Sequence, residues 1–307
     1  MSLSAGTSVG KPRIFIDYVS YLRAVGAITG YDTLEGGGAD VWDMNPTKTV
    51  EASEYNRVYF VDDNETNAFV ETANYFAVLG HNATGNEFLL NQTLADSYAP
   101  IGQAYDMPGY KIDTFPNNLS DSPITSYTVD CSNDLSVGSF SVGRYFDFSN
   151  AVDLDVSYSV SHDGIKTKRT IGGSDITSIN YHSQPLWGDR KPWTSGETYK
   201  YTGYNGRRSW KVSFSYIDHD SSLPQNMNED FMINNDIDNP GIGIAHTTEN
   251  IVSHFLTLTL GGSLKFIFQP DVNLDQFSLC RLSKPQTTFK QVAHKTYNIS
   301  FTFVETY

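Results

Sequence analysis

The sequence predicts a mainly β protein in two parts: a β-sandwich over residues 1–148, then a second β domain over residues 149–307 with one flanking helix. Three observations carry that prediction. The first is alternation. In Trp210-Lys-Val-Ser-Phe-Ser-Tyr216 the side chains of Trp210, Val212, Phe214 and Tyr216 are expected on one face, and in Thr296–Phe303 those of Tyr297, Ile299, Phe301 and Phe303. A period of two belongs to a strand with one buried and one wet face. The second is composition: 19 Tyr and 18 Phe are interleaved with Gly, Ser, Thr and Asn breaks, the mixture of pleated, half-buried surfaces and turns. The third is that most apolar runs have the length of strands.

Taken in order, Arg13-Ile-Phe-Ile-Asp-Tyr-Val19 opens as a strand and Gly36-Gly-Gly38 marks a loop. Tyr55–Val61 and Tyr75–Leu79 follow, separated by the polar turn Asp62–Asn67, and then Thr125–Cys131 and Val137–Tyr145. Tyr145–Asn150 reads as the link between the two parts. Val152–Val160 alternates cleanly and runs through His162-Asp-Gly164 into Ile165–Ile171. Asp-Gly between two alternating segments signals a hairpin, with Gly172-Gly173 ending its second arm. Residues 180–208 are irregular and aromatic, and 218–244 form an Asn- and Asp-rich surface excursion that orders by contact with a neighbouring subunit. A helix is expected over about 248–260, capped by Thr247 or Thr248, with Glu249 in its first turn and Gly261-Gly262 as its stop. Ile251, Val252, Phe255 and Leu256 form its apolar stripe. Leu264–Pro270 and the final strand complete the fold.

A net charge of −14 excludes a nucleic-acid surface, because phosphate contacts need a basic patch. The local basic clusters are short, Lys166-Thr-Lys-Arg169 and Arg207-Arg208. Met1–Gly6 lacks a basic region leading into an apolar run, so no secretion signal is expected. No apolar stretch approaches the roughly 20 residues of a membrane span. Cys131 and Cys280 lie in strand patterns and read as buried free thiols.

The chain is expected not to be an enzyme. It has no nucleophile elbow, no His-Glu-x-x-His and no phosphate-cradling loop, and no catalytic residue is nominated. Its seven histidines never fall at metal-ligand spacing, and Asp236-Ile-Asp-Asn-Pro-Gly241 lacks the ligand alternation and closing glutamate of a calcium loop. No metal or cofactor is expected. Trp187, Trp193, Tyr199 and Tyr204 are the candidate ligand or interface aromatics. Their other reading is as anchors pinning an irregular loop to the sheet.

Two sets of motifs carry a resemblance. Asn74-Tyr-Phe-Ala-Val-Leu-Gly-His-Asn82, with Ser141-Val-Gly-Arg144 later, resembles the strand-turn pattern of discoidin-like, galactose-binding-like jelly-roll sandwiches in tail proteins of tailed bacteriophages. Gly172-Gly-Ser174, Asn180-Tyr181, Pro185–Asp189, Gly206–Trp210, Phe214–Tyr216, Phe266–Asp271, Asp275-Gln-Phe277, Arg281, Phe289, Gln291–Ala293 and Tyr297–Ser300 follow in an order similar to structural proteins from phages of marine bacteria. The resemblance implies a discoidin-like N-terminal sandwich, a tail-tube-like C-terminal domain, and a virion protein of the tail tip or baseplate. The nearest described role is the distal tail protein, a ring (hexameric in that family) that joins the tail tube to the baseplate hub. The implied partners are copies of itself, tail-tube and hub proteins, and a host-surface glycan reached by an outward-facing N-terminal module. Subunit contacts are expected from residues 152–307. A carbohydrate-binding adhesion module is the alternative role.

Overall fold

A computed structural model describes residues 10–33, 38–52, 55–62, 66, 69–83, 88–91, 104–107, 109–115, 124–131, 135–148, 152–153, 156–179, 184–188, 190–193, 206–218 and 251–307. The first part of the chain forms β1 (Arg13–Asp17), α1 (Tyr18–Val25), β2 (Ile28–Thr33), a 3-10 turn (Gly38–Trp42), β3 (Val50–Ala52), β4 (Tyr55–Phe60) and β5 (Tyr75–Leu79). It continues through β6 (Phe88–Asn91), β7 (Ala104–Met107), β8 (Tyr110–Thr114), β9 (Ser126–Cys131), β10 (Leu135–Val137) and β11 (Ser139–Asp147). The second part forms β12 (Ser157–Ser161), β13 (Ile165–Arg169), β14 (Asp175–Ile179), β15 (Arg207–Asp218) and α2 (Ile251–Leu258). It closes with β16 (Phe266–Gln269), β17 (Ser278–Leu282), β18 (Phe289–Ala293) and β19 (Thr296–Glu305). The protein is mainly β, with antiparallel sheets.

One eleven-stranded sheet runs β12-β15-β19-β17-β16-β1-β11-β5-β8-β7, with β18 also paired to β19. A four-stranded sheet, β2-β4-β9-β6, shares a core with one face of it. To that face Ile14 and Ile16, Phe76 and Val78, Phe140 and Val142, and Phe266 and Phe268 all contribute; Val58, Phe88, Tyr127 and Val129 meet them from the smaller sheet. Farther along, Phe255 of α2 packs edge-on to Phe266 and Phe301. The alternate residues Phe15, Tyr75, Ala77, Leu79, Ile267 and Leu279 enter a second core on the opposite face. Strands apolar on both faces read as continuous runs, which is why β1, β5 and β16 lack the alternation of β15 and β19.

The division expected at 148/149 does not separate two sheets. Strand β1 pairs with β11 on one edge and with β16 on the other, from Arg13↔Gln269 to Ile16↔Phe266. The physical reason lies in β1 itself: Ile14, Phe15 and Ile16 are all about 0–1% exposed, so the strand needs cover on both faces and partners on both edges. Two local expectations are also corrected. Arg13–Val19 is not all strand, because Asp17 caps α1 by accepting from Ser20 N at 2.7 Å, and Gly26, at φ 79°, ends that helix. Tyr216 does not join the face of Trp210, Val212 and Phe214. A bulge between Phe214 and Ile217, with Tyr216 at φ 57°, turns Tyr216 to solvent and puts Ile217 in the core. The stop of α2 is as expected: Gly261 and Gly262 have φ of 70° and 79°. The expected caps Thr247, Thr248 and Glu249 and the excursion 219–244 lie outside the described residues.

Asp17 ties these elements together. Its carboxylate also accepts from Ser141 Oγ at 3.0 Å and Val142 N at 3.2 Å, joining α1 to β11. Burial raises its pKa above the ordinary 3.8, against hydrogen bonds from Ser20, Ser141 and Val142 that favour the anion. The folded chain therefore holds that proton more tightly than the unfolded chain. This group's contribution to stability is greatest below about pH 4 and falls as pH rises through the folded value. Asp17→Asn keeps an acceptor for Ser20 N and removes the titration. Its unfolding free energy relative to the unmodified chain is expected to rise between pH 4 and pH 7, measured by urea denaturation; a difference independent of pH contradicts the assignment.

Candidate functional site

Two neighbouring features of the second part stand out, a protruding hairpin and an aromatic cleft at its foot. The hairpin is not the one expected at Asp163-Gly164. Strand β12 pairs with β15, from Ser157↔Lys211 to Ser161↔Arg207, and Arg207 Nε meets Asp163 Oδ2 at 3.1 Å just beyond. That leaves β13 to pair with β14, from Ile165↔Ile179 to Arg169↔Asp175. The Gly172-Gly173 pair makes their turn instead of ending an arm. Gly173 adopts φ 84°, and the Thr170 hydroxyl both donates to Ser174 O and accepts from Ser174 N, each at 3.0 Å. The Asp-Gly signal is local; β15 offers β12 a longer, partly buried partner.

Every residue of β13 and β14 is exposed. Ile176 and Ile179 are 61% and 76% exposed, and Ile171 at the tip is fully so. Lys166, Lys168 and Arg169 make the same hairpin basic on a chain of net charge −14. The paired Thr167 and Thr177 hydroxyls, 3.1 Å apart, are its one cross-strand side-chain hydrogen bond among the described residues.

The cleft, of about 530 Å³, opens where Val160 and His162 lead into that hairpin. Its other walls come from distant segments: Tyr110 of β8, Gln184 and Trp193 of the irregular loop, Arg208 of β15, Asp275 to Phe277, and Glu305 of β19. Glu305 is the hub. It accepts from Arg208 N and Nε at 3.0 Å and from Arg208 Nη2, from Ser278 Oγ at 3.1 Å and from the Tyr307 hydroxyl at 3.2 Å. Burial alone pushes the Arg208 pKa down, but the hydrogen bonds and negative charge of Glu305 carry it above its ordinary value. With its lone pairs so engaged, Glu305 is built to hold β15 against β17 and β19. It is not poised as an acid or base, which must reach a reacting atom.

Of the four candidate aromatics, Trp187 is buried and Trp193 half-buried, both in the second core. Trp187 and Trp193 pack edge-to-face with ring centroids 4.9 Å apart, and Trp193 meets Tyr110 at 5.2 Å and Phe277 at 5.9 Å. Trp187 therefore acts as an anchor of the loop, clamped by its backbone bridge to Arg190. Trp193 does both, since one side anchors and another lines the cleft. Tyr199 and Tyr204 lie outside the described residues, as does the acidic segment Asp236–Gly241.

The His81-Asn82 turn is structural: Gly80 N donates to Gly109 O, and Asn82 Oδ1 accepts from Ser136 N at 2.8 Å. A Cβ on Gly80 would lie 2.9 Å from Pro46 O and 3.2 Å from Trp187 Cβ, so this glycine admits the anchored loop. The two stretches of the first motif set are adjacent strands, Gly143↔Tyr75 and Val142↔Phe76, and serve packing. Both cysteines are free and buried, and burial raises the Cys131 thiol to about 11 and the Cys280 thiol further. Among the described residues no three His, Cys, Asp or Glu side chains are grouped to hold a metal.

Sequence reasoning did not single out Gln184, Arg208, Asp275 or Glu305. A signal was present: three segments of the second motif set, Pro185–Asp189, Gly206–Trp210 and Asp275–Phe277, converge on this cleft or its supporting loop. Comparison of the chain with protein-family models, curated proteins and solved structures finds no match.

Replacing Glu305 by Gln leaves the Arg208 guanidinium without its counter-charge. The variant is expected to lose about 3 kcal/mol of stability in urea unfolding, because breaking one side of a buried pair strands the other charge. A loss indistinguishable from that of an exposed surface substitution contradicts the role given to this pair.

Proposed function

We propose that the chain is a structural subunit of a phage tail, a distal-tail or baseplate-like component of the virion that joins copies of itself into a ring. In this reading the hairpin β13–β14 is the arm by which one copy holds the next. The observation that supports it is the hairpin's exposure. A two-stranded ribbon with neither face covered is marginal in water, and exposed Ile165, Ile171, Ile176 and Ile179 add apolar surface that a lone subunit leaves wet. Such an arm gains its cover from a neighbour.

The neighbour that fits is a second copy. Two bodies of net charge −14 repel, so contact requires a locally opposite patch, and Lys166, Lys168 and Arg169 supply one on the arm. An arm on one surface meeting a different surface of the next copy is a heterologous contact, which closes into a ring when the rotation allows. The arm belongs to residues 152–307, the part from which subunit contacts are expected. Tail-tube and hub proteins are the proposed neighbours along the tail, and the N-terminal sandwich is proposed to face outward.

Light scattering and electron microscopy of the purified chain at micromolar concentration test the reading. The unmodified chain is expected to form rings whose mass falls as salt is raised. The combined variant Lys166→Glu, Lys168→Glu, Ile176→Ser, Ile179→Ser is expected to stay monomeric with an unchanged melting temperature, since these side chains are exposed. A monomeric unmodified chain, or a variant that assembles as well, overturns it.

A further inference from the structure

We propose that the cleft at the foot of the hairpin is a binding site for a neutral saccharide. The site is independent of the ring, and its chemistry rests on what lines it. The volume, about 530 Å³, is within the ordinary range for small-molecule pockets. Trp193 and Tyr158 present aromatic surface, which suits the C–H faces of a pyranose. Around them stand planar polar groups of mixed sense. Gln184 has its Nε2 turned to Gly206 O at 3.4 Å and Glu305 Oε2 at 3.5 Å and brings an amide carbonyl as acceptor, Asp275 accepts, and Arg208 donates. Hydroxyls, which donate and accept at once, match such a set; an apolar ligand would leave it unsatisfied.

Charge narrows the class further. Arg208 is already neutralised by Glu305 through Nε and Nη2, and Nη2 also reaches the Phe277 carbonyl. Its Nη1 donates to no described residue and is left for a ligand hydroxyl. Asp275 is exposed and makes no ion pair among the described residues, so the rim carries an uncompensated negative charge. That charge disfavours uronic or sialic acids. The wall is also fixed in advance: Trp193 has φ 59°, a left-handed backbone that a bulky residue rarely takes, and Trp187, Tyr110 and Phe277 wedge its ring there. A rigid aromatic platform binds with little ordering cost.

Titration of the full chain with glucose, galactose, mannose and N-acetylglucosamine, read by intrinsic tryptophan fluorescence, tests the proposal, with glucuronate as the anionic comparison. At least one neutral sugar is expected to give a saturable change at millimolar concentration, and glucuronate a weaker one. Asp275→Asn and Tyr158→Ala are each expected to weaken binding about tenfold or more; the circular-dichroism melting curve stays in place for Asp275→Asn, while Tyr158→Ala, which also loses its packing on Trp210, is titrated well below its own melting temperature. The same titration on the monomeric arm variant keeps assembly out of the result and is expected to agree. No saturable response to any neutral sugar, a response that survives both cleft variants, or glucuronate binding as tightly would each overturn the proposal. A response seen in the arm variant alone would also overturn it, and would assign the cleft to a neighbouring subunit.

Discussion

Strand β1 is the constraint on which the rest depends. It is paired on both edges, all five of its residues with β11 from the first part of the chain and Arg13 to Ile16 with β16 from the last. Its side chains are buried on both faces, Ile14 and Ile16 in one core and Phe15 in the other. A strand in that position cannot be shared between independent domains. Strands β1, β5, β7, β8 and β11 of the first part and the C-terminal strands are therefore one sheet, and local opening at either end is resisted by ladder bonds to the other. Asp17, the last residue of the strand, extends the same control, capping α1 and bonding β11 with one carboxylate. At the opposite end Arg13 pairs with Asp147, the last residue of β11. The welded strand is thus held at both ends, by an ion pair at Arg13 and by hydrogen bonds from neutral donors at Asp17, where fraying would otherwise begin.

Its second face explains the cleft. Phe15, Tyr75, Leu79, Ile267 and Leu279 leave an apolar surface that among the described residues no second sheet covers; Met44, Trp187, Trp193 and Phe277, outside the strands, pack on it instead. Loops cannot bury their own backbone polar groups without partners, so the segment with Trp187 and Trp193 is held by large side chains and a few bridges. Trp187 sits against Gly80, where any Cβ would press on it, and exchanges two hydrogen bonds with Arg190. Such cover is less complete than a packed sheet. Between Trp193 and the Arg208–Glu305 pair the described sheet surface opens into a pocket with one aromatic and one polar wall. The cleft therefore follows from covering this part of a two-faced sheet with a segment that, among the described residues, adds no strand to it.

Much of this was legible in the sequence where a face alternates. Trp210, Val212 and Phe214, and Ile299, Phe301 and Phe303, lie in the core as their period requires. The stop of α2 was readable from Gly261-Gly262. The short helix α1 was missed because an apolar strand runs straight into it; the Asp17 cap and the Gly26 stop were there to be read, eight helical residues apart. Tyr216 was misplaced because a bulge breaks the period without a glycine to announce it. The division at 148/149 was misjudged for a deeper reason. Which strand lies beside β1 is a long-range fact, and the apolar runs of β1 and β16 say only that each is buried on both faces. The cleft was illegible for the same reason, its walls coming from six separated stretches.

The hairpin shows how local and long-range preferences compete. His162-Asp-Gly164 carries the turn chemistry for pairing β12 with β13, and Gly164 does take φ 86°. The chain turns there, yet the two strands part, because β12 gains more beside β15: Tyr158 packs against Trp210 with centroids 5.7 Å apart, and the edge of the long sheet is extended by a strand. Strand β13, left without that partner, folds back on β14 through a glycine turn and stands clear of both cores. A sequence selected only for monomer stability would be expected to shorten such a ribbon or make it wholly polar. This one retains isoleucines on both of its faces, Ile165 with Ile179 on one and Ile176 on the other, set among lysines on an acidic body. Apolar surface of that kind, kept where the fold itself derives nothing from it, is what the proposed contact with a second copy would cover.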